Sequence, residues 1–258
     1  MKSIRQAIAA TCATTTSFAI MASSLVVGTG LVLALSAPVH AGAYQVYGDE
    51  FAWDNNFNNS NIGVGFGSGS TANMTVWYDF GTGALYGYPA CIRGWHYGWN
   101  PANDNKYPSP IYDQETDNAT DSFSSGGTNM YGDFTYDCFL RSDNQKSTPE
   151  LELMIWGYNN SYPIGTKVRS NTVNGQDLWM GYNSSAGYET FSFVPAGTGG
   201  GAAWTSVSGS INVNIGSYLI YLCNNYSSYV NYDWNLDVVE GGLEVTGGDG
   251  WDWLEMSN

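Results

Sequence analysis

Residues 149–156 read Pro-Glu-Leu-Glu-Leu-Met-Ile-Trp, and this stretch says most about the fold of the chain. Side chains of a β-strand alternate between its two faces, so Leu151, Leu153 and Ile155 share one face. The other face carries two carboxylates and two large apolar side chains, namely Glu150, Glu152, Met154 and Trp156. Such a mixture is odd for a plain solvent face. The pattern predicts a strand whose aliphatic face enters a core and whose other face lines the floor of a sugar-binding cleft.

A second strand with acidic residues is predicted between residues 238 and 248. Val239, Leu243 and Val245 fall on one side, whereas Glu240 and Glu244 share the other side with Gly242 between them. A glycine within a strand indicates either the close approach of another group or a bulge. Room for a substrate over Glu244 and a simple β-bulge are both consistent with Gly242.

The rest of the chain favours an all-β domain with one helix. Further alternating segments occur at 74–78 and 251–256, and the 32 glycines are typical of many tight turns between short strands. One segment has helical spacing, with apolar residues at Ile215, Tyr218, Leu219, Leu222 and Cys223. No internal repeat and no linker to an appended module is evident, so a single domain is predicted.

The composition excludes several classes of function. The 258 residues contain 8 Lys and Arg against 23 Asp and Glu, giving a formal charge of −15. Because so few cations cannot neutralise phosphates, we expect no nucleic-acid partner and no binding to anionic membranes. Aromatic residues make up 15% of the chain, with 10 Trp and 19 Tyr, which argues against disorder.

The N-terminus resembles a secretory signal peptide. Lys2 and Arg5 precede an interrupted apolar stretch, and Val39-His40-Ala41 provides small residues for cleavage after Ala41. A membrane anchor is the alternative, but the uninterrupted apolar runs are shorter than the roughly 20 residues of a membrane span. We therefore expect a signal peptide at 1–41 and one secreted, membrane-free domain at 42–258, with 217 residues and, because Lys2 and Arg5 are lost, a formal charge of −17.

Neither a metal nor a cofactor is predicted. After residue 41 the chain keeps Cys91, Cys138 and Cys223, without a Cys-x-x-Cys spacing, and His96 is its only histidine. A zinc site or a serine–histidine triad would thus depend on His96 alone. One disulfide with a free thiol and three buried thiols are equally compatible with this count.

Two carboxylates facing each other across a cleft are what glycosidic bond cleavage requires. One attacks or activates water, and the other donates a proton to the leaving oxygen. Aromatic side chains beside them can pack on the apolar faces of sugar rings. Secretion, acidic strands and the lack of another nucleophile or metal together favour a glycosidase.

Specific motifs then indicate a family. Glu152-Leu153-Met154-Ile155-Trp156 resembles the nucleophile strand of glycoside hydrolase family 12, the β-jelly-roll endoglucanases. Other segments resemble the family in the same order along the chain: Leu85-Tyr86-Gly87-Tyr88-Pro89 with Gly94 and Trp99, Phe134-Thr135-Tyr136-Asp137, Tyr162-Pro163-Ile164-Gly165, Asp177-Leu178-Trp179, Phe191-Ser192-Phe193-Val194 and Gly242-Leu243-Glu244-Val245. The resemblance covers roughly residues 44–256.

The resemblance implies a fold and a set of site residues. The fold would be a jelly-roll sandwich of two antiparallel sheets with a concave cleft and one short helix packed outside. Glu152 would be the nucleophile, Glu244 the acid/base, and Asp137 a support for the nucleophile. Substrate contacts would come from Met154, Trp156, Trp95, Trp99, Tyr88, Asn56 and Pro163.

We therefore expect a monomeric, cofactor-free endo-β-1,4-glucanase that acts on cellulose-type polysaccharides with retention of configuration. Xyloglucan or mixed-linkage β-glucan specificity is the alternative within the family, and a non-catalytic carbohydrate-binding sandwich is the alternative outside it. Two departures bear on the substrate: Asn58 stands where the family usually has a sugar-contacting Trp, and residues 100–121 form a long predicted loop. Glu150 and Glu240 add acids near the expected pair, where they could raise the pKa of Glu244 or face solvent.

Overall fold

Two long strands, β7 (Asn118–Arg141) and β13 (Asn235–Ser257), organise the fold. A computed structural model describes residues 42–57, 59–81, 83, 85–144, 148–159, 163–196 and 208–257, so the expected signal peptide and Asn58 lie outside the described residues. The remaining strands are β1 (Tyr44–Tyr47), β2 (Glu50–Trp53), β3 (Ile62–Phe66), β4 (Asn73–Phe80), β5 (Ala90–Gly94), β6 (Ser109–Pro110), β8 (Leu151–Asn159), β9 (Thr166–Arg169), β10 (Asp177–Asn183), β11 (Tyr188–Val194) and β12 (Ser208–Asn214).

Both long strands bend and pass through two layers of a jelly-roll sandwich. The inner layer has the order β1-β2-β5-β13-β7-β8-β11-β10-β9, and the outer layer adds β3, β4 and β12 beside the far halves of β13 and β7. At the bend, Gly132 and Gly247 have φ values of 152° and 150°. A Cβ on Gly132 would lie 1.9 Å from the carbonyl oxygen of Glu244, so only glycine permits this close approach. The described pairs are antiparallel except β8 with β11, which is parallel.

The core lies between the two layers, as the alternation of residues 149–156 predicts. Leu151, Leu153 and Ile155 are buried in the main hydrophobic cluster, whereas Met154 and Trp156 belong to a separate cluster on the opposite, concave face. Three of the residues in the main cluster are the free thiols of Cys91, Cys138 and Cys223.

The predicted helix is present as α1 (Ile215–Asn225), and all five residues of its apolar stripe are buried. The side-chain oxygen of Asn214 caps it by accepting a hydrogen bond from the backbone N–H of Ser217. None of the described helices is long and apolar enough to cross a membrane. The predicted loop at 100–121 was too long, because β6 pairs with Asn235 and Leu236 and β7 already begins at Asn118.

Asp252 is a carboxyl group inside this core. It faces inward from β13, is 2% exposed and accepts a hydrogen bond from Tyr78 Oη at 2.8 Å. Burial raises the pKa of Asp252 to about 7, although the Tyr78 bond opposes the shift.

The raised pKa of Asp252 predicts a pH-dependent stability. The folded protein holds this proton more tightly than the unfolded chain, where an Asp has a pKa of about 3.9. The contribution of Asp252 to the free energy of unfolding should therefore be greatest below about pH 4 and fall by roughly a few kcal/mol as the pH rises through 7. Buried Asp121, whose pKa is also raised, contributes in the same direction, so urea unfolding across this range should show that Asp252→Asn lessens the decline and that Asp79→Asn, at an exposed position, does not. An unchanged decline in Asp252→Asn would contradict the assignment.

Candidate active site

The concave face of the inner layer brings five acidic side chains together on neighbouring strands. Glu152 projects from β8, Asp133 and Asp137 from β7, and Glu240 and Glu244 from β13; they are 7%, 0%, 6%, 1% and 3% exposed. Their strand neighbours are directed into the core behind them, as the period of two requires. The sheet thus holds five nearly buried carboxyl groups on one face.

Glu152 is held from the side by β11. Thr190 Oγ1 donates a hydrogen bond to Glu152 Oε2 at 2.9 Å, and the two residues are paired in the parallel β8–β11 ladder. Asp137 in turn accepts a hydrogen bond from Thr135 Oγ1 at 3.1 Å. These contacts orient both carboxylates from rigid strands.

Strand register determines which acids are close to Glu152. Asp137 lies opposite Met154 on one side and opposite Glu240 on the other, and Glu152 lies opposite Phe139, one pleat along. With about 4.8 Å between strands and 3.3 Å per residue, the Cα atoms of Glu152 and Glu240 are roughly 12 Å apart. Two side chains on one concave face can reduce this to the roughly 5 to 9.5 Å between the carboxyl groups of glycosidases.

Glu244 is the second glutamate of β13 on this face. It is 3% exposed and lies opposite Asp133 on β7, where Gly132 permits close approach to the Glu244 carbonyl oxygen. The carboxylates of Glu244 and Asp133 act on the same Tyr88 hydroxyl as those of Asp137 and Glu240. Glu244 therefore belongs to the same group of carboxyl side chains.

Tyr88 separates the two glutamates of β13. Its ring lies over Gly242, because a Cβ on Gly242 would be 2.6 Å from Tyr88 Cε2. Its hydroxyl donates to the carbonyl oxygen of Glu240 at 3.0 Å, and burial together with the Asp137 and Glu240 carboxylates raises the pKa of that hydroxyl. The space over Gly242 is thus occupied by a tyrosine ring, and the described register shifts of β13 lie elsewhere.

His96 contacts Glu240 directly. His96 Nδ1 and Glu240 Oε1 are 2.6 Å apart and share a hydrogen bond, and Glu240 Oε2 is buried without a hydrogen-bond partner. The imidazole packs between Trp53 and Tyr97, each with its ring centroid 4.9 Å away. Glu240 is therefore an almost fully buried carboxyl group with one oxygen held by His96.

An aromatic cluster continues from His96 along the concave face. Trp99, predicted as a sugar contact, packs edge-on against Phe51 and Trp53 at centroid distances of 4.9 and 5.4 Å. Tyr97 reaches across Phe139 to hydrogen-bond Tyr188 Oη at 2.8 Å. This contact joins the turn after β5 to β11 near Glu152.

The other residues predicted to contact the substrate lie outside this aromatic cluster. Met154 and Trp156 are on the face of Glu152 but are fully buried with Val194. Trp95 packs against the main core and donates its indole N–H to the carbonyl oxygen of Tyr107, beside a separate pocket of about 490 Å³.

Asn56 and Pro163 lie in segments that connect strands, between β2 and β3 and between β8 and β9. Asn56 donates to the Ile62 carbonyl oxygen at 3.5 Å, and Pro163 is buried at the start of the segment leading to β9. No group of three or more His, Cys, Asp or Glu side chains suited to a metal ion occurs among the described residues.

Comparison with known proteins gives a family model and a set of similar structures. The model of glycosyl hydrolase family 12 matches residues 55–257. A native family 12 xyloglucanase from Bacillus licheniformis is 24% identical with a TM-score of 0.65, and the match covers 84% of this chain and 94% of that one. Endoglucanase 3 of Trichoderma harzianum is 21% identical with a TM-score of 0.62, covering 84% and 95%. Endoglucanase Cel12A of Rhodothermus marinus is 19% identical with a TM-score of 0.62, covering 84% and 94%.

Proposed function

Because the chain belongs to glycosyl hydrolase family 12, we propose that it is a secreted endo-β-1,4-glucanase acting with retention of configuration. The observation that carries this proposal is the group of buried carboxyl side chains on adjacent strands of the concave face, among them Glu152, Asp137 and Glu244. Secretion is supported by the signal-like pattern of residues 1–41.

In the first step, Glu152 is the nucleophile. Its carboxylate attacks the anomeric carbon, the glycosidic C–O bond breaks, and a proton passes from the acid to the leaving oxygen. The Thr190 hydrogen bond orients one oxygen of Glu152 and thereby directs the other. Asp137, one pleat away on β7, supports the site through its negative charge and position.

We assign the acid/base role to Glu244. The segment Gly242-Leu243-Glu244-Val245 resembles the acid/base motif of the family, and Glu244 lies on the concave face of β13. Protonated Glu244 would donate to the leaving oxygen, and its carboxylate would then remove a proton from the water that releases the glycosyl-enzyme. Glu240, whose Oε1 is held by His96, is the second candidate for this role.

The retaining assignment carries a geometric requirement. Carboxyl groups about 5 to 5.5 Å apart favour a covalent intermediate, whereas about 6.5 to 9.5 Å leaves space for water. A proton-NMR spectrum of the first product released from a β-glucan should therefore show the β-anomer before mutarotation.

Xyloglucan is the second candidate substrate. It is favoured by the similar structure from Bacillus licheniformis, whose name is xyloglucanase, and by Asn58 in the place of the usual Trp, since a smaller side chain leaves space for branches.

A substrate panel distinguishes these proposals. Reducing-sugar release by the purified protein from carboxymethylcellulose, mixed-linkage β-glucan and xyloglucan is expected to be highest on an unbranched β-1,4-glucan. A rate at least tenfold higher on xyloglucan would instead identify the branched polymer as the substrate. Binding of all three polymers without any release would identify a non-catalytic sugar-binding protein and would overturn the proposed activity.

A further inference from the structure

Two tryptophans lie exposed on the outer layer, on the side of the sandwich opposite the acids. Trp77 on β4 and Trp251 on β13 are 48% and 44% exposed, and they are directly paired across the two strands. Their strand neighbours point into the core, among them Val76, Tyr78 and Asp252. The exposed indoles are therefore an outward feature of regular strands and not the result of local distortion.

Both indoles lie flat on the sheet. A Cβ on Gly63 would be 3.7 to 3.8 Å from three atoms of the Trp77 ring, and one on Gly65 would be 2.6 Å from its Cη2. A Cβ on Gly126 would be 2.8 to 2.9 Å from three atoms of the Trp251 ring. At Gly63 and Gly126 the near-equal distances to three ring atoms mean that the ring face, not its edge, covers the glycine, whereas at Gly65 the six-membered ring is closest through Cη2. The opposite face of each indole is thus turned to solvent.

The glycines also show in which direction each ring extends. Gly63 and Gly65 belong to β3, on one side of β4, whereas Gly126 belongs to β7, on the far side of β13. The indoles therefore diverge from their paired backbones and together span up to three strand spacings, or roughly 14 Å. In the next row, Thr75 and Trp253 are paired and partly exposed. The result is a flat aromatic strip with polar side chains beside it.

The charges around this strip limit its ligand. Asp79 and Asp249 are exposed and paired in the row beside the two tryptophans. Acidic neighbours disfavour nucleic acid and anionic lipid. A flat indole face suits the apolar face of a pyranose ring, and carboxylates and hydroxyls at its border can accept or donate hydrogen bonds to sugar hydroxyls.

We propose that Trp77 and Trp251 form an auxiliary binding surface for one neutral β-glucan chain, separate from the catalytic cleft. The choice of β-glucan rests on the proposed function. By holding a polymer on the outer layer, the surface would keep the enzyme at its substrate between hydrolytic events, which raises the local concentration of chain at the cleft.

The test measures polymer binding with hydrolysis disabled. In a Glu152→Gln background, affinity electrophoresis in soluble mixed-linkage β-glucan should show retardation, and adding Trp77→Thr and Trp251→Thr should weaken binding by at least about tenfold. Threonine is chosen because it favours exposed strands.

The matched control is Tyr112→Ala, which removes another exposed aromatic side chain, at 55%, and should leave retardation unchanged. Unfolding midpoints confirm that each variant is folded, and Trp77→Tyr with Trp251→Tyr, which keeps flat rings, should bind better than the threonine variant.

Three results would overturn the proposal. The first is equal retardation of the threonine variant and its parent. The second is a wild-type dimer in sedimentation that the threonine substitutions convert to monomer, since the surface would then bind a second copy of the chain. The third is hydrolysis of β-glucan by the wild-type enzyme together with loss of polymer binding by the Glu152→Gln variant once a short cello-oligosaccharide saturates the cleft. In that case the proposed function stands and the auxiliary surface does not. If the wild-type protein hydrolyses no β-glucan at all, the proposed function is rejected instead.

Discussion

Replacement of Glu152 by glutamine is expected to lower kcat on β-glucan by about 10⁴-fold or more while the protein remains folded. An amide cannot attack the anomeric carbon, yet it has nearly the shape of the carboxylate and can still accept the hydrogen bond from Thr190. The measurement is steady-state hydrolysis together with thermal unfolding, so that loss of the nucleophile and loss of the fold are separated.

Glu150 provides the matched control for this prediction. It precedes Glu152 by two residues, is exposed, and its carboxylate accepts hydrogen bonds from Ser142. Glu150→Gln should therefore keep nearly full activity. A second measurement uses Glu152→Ala with azide and an activated aryl cellobioside, where azide entering from the vacated side should give the α-glycosyl azide. Substantial turnover by Glu152→Gln without added nucleophile would contradict the assignment.

Replacement of Glu244 by alanine is expected to reduce hydrolysis of β-glucan by about 10²- to 10⁴-fold, the usual contribution of a general acid/base. The loss should be much smaller for formation of the glycosyl-enzyme from an aryl cellobioside with a good leaving group, because such a group departs without a proton. The alkaline fall of kcat/KM should also disappear, since it reports the proton on the acid.

Glu240 is the comparison that decides between the two glutamates of β13. Glu240→Ala should change stability more than chemistry, because Glu240 is 1% exposed and its carboxylate is bound to His96. Azide should restore turnover of the activated substrate by Glu244→Ala with a β-configured product, and it should have no such effect on Glu240→Ala. The reverse pattern would transfer the acid/base role to Glu240.

Much of the architecture could be predicted because it depends on local periodicity. The alternation of residues 149–156 correctly separates the core residues Leu151, Leu153 and Ile155 from the concave face. The helical stripe correctly predicts α1, because a 3.6-residue period over 11 residues has no equivalent in a strand. The motif Glu-Leu-Met-Ile-Trp indicated the family that the comparison then showed.

Other features depended on contacts between distant segments. Met154 and Trp156 lie on the predicted face but are covered by residues such as Val194 from β11. His96 gave no sequence signal beyond being the only histidine after residue 41, and its contact with Glu240 joins positions 144 residues apart. The pattern that could have indicated this pair is a histidine in the turn after β5 together with an acid on the concave face of the adjacent strand, β13.

The sequence by itself determined that Glu240 and Glu244 share one face of one strand, since the period of two places residues i and i+4 on the same side. It also determined the strand at residues 149–156 and the class of protein. Only the tertiary structure decided the neighbours of each glutamate: Glu240 meets His96, and Glu244 lies opposite Asp133. Those neighbours depend on the register of β13 against β7. Register is established by the burial of Val239, Leu243 and Val245 in a core shared with both layers, and sliding one strand by four residues would keep every side chain on its face while changing every neighbour.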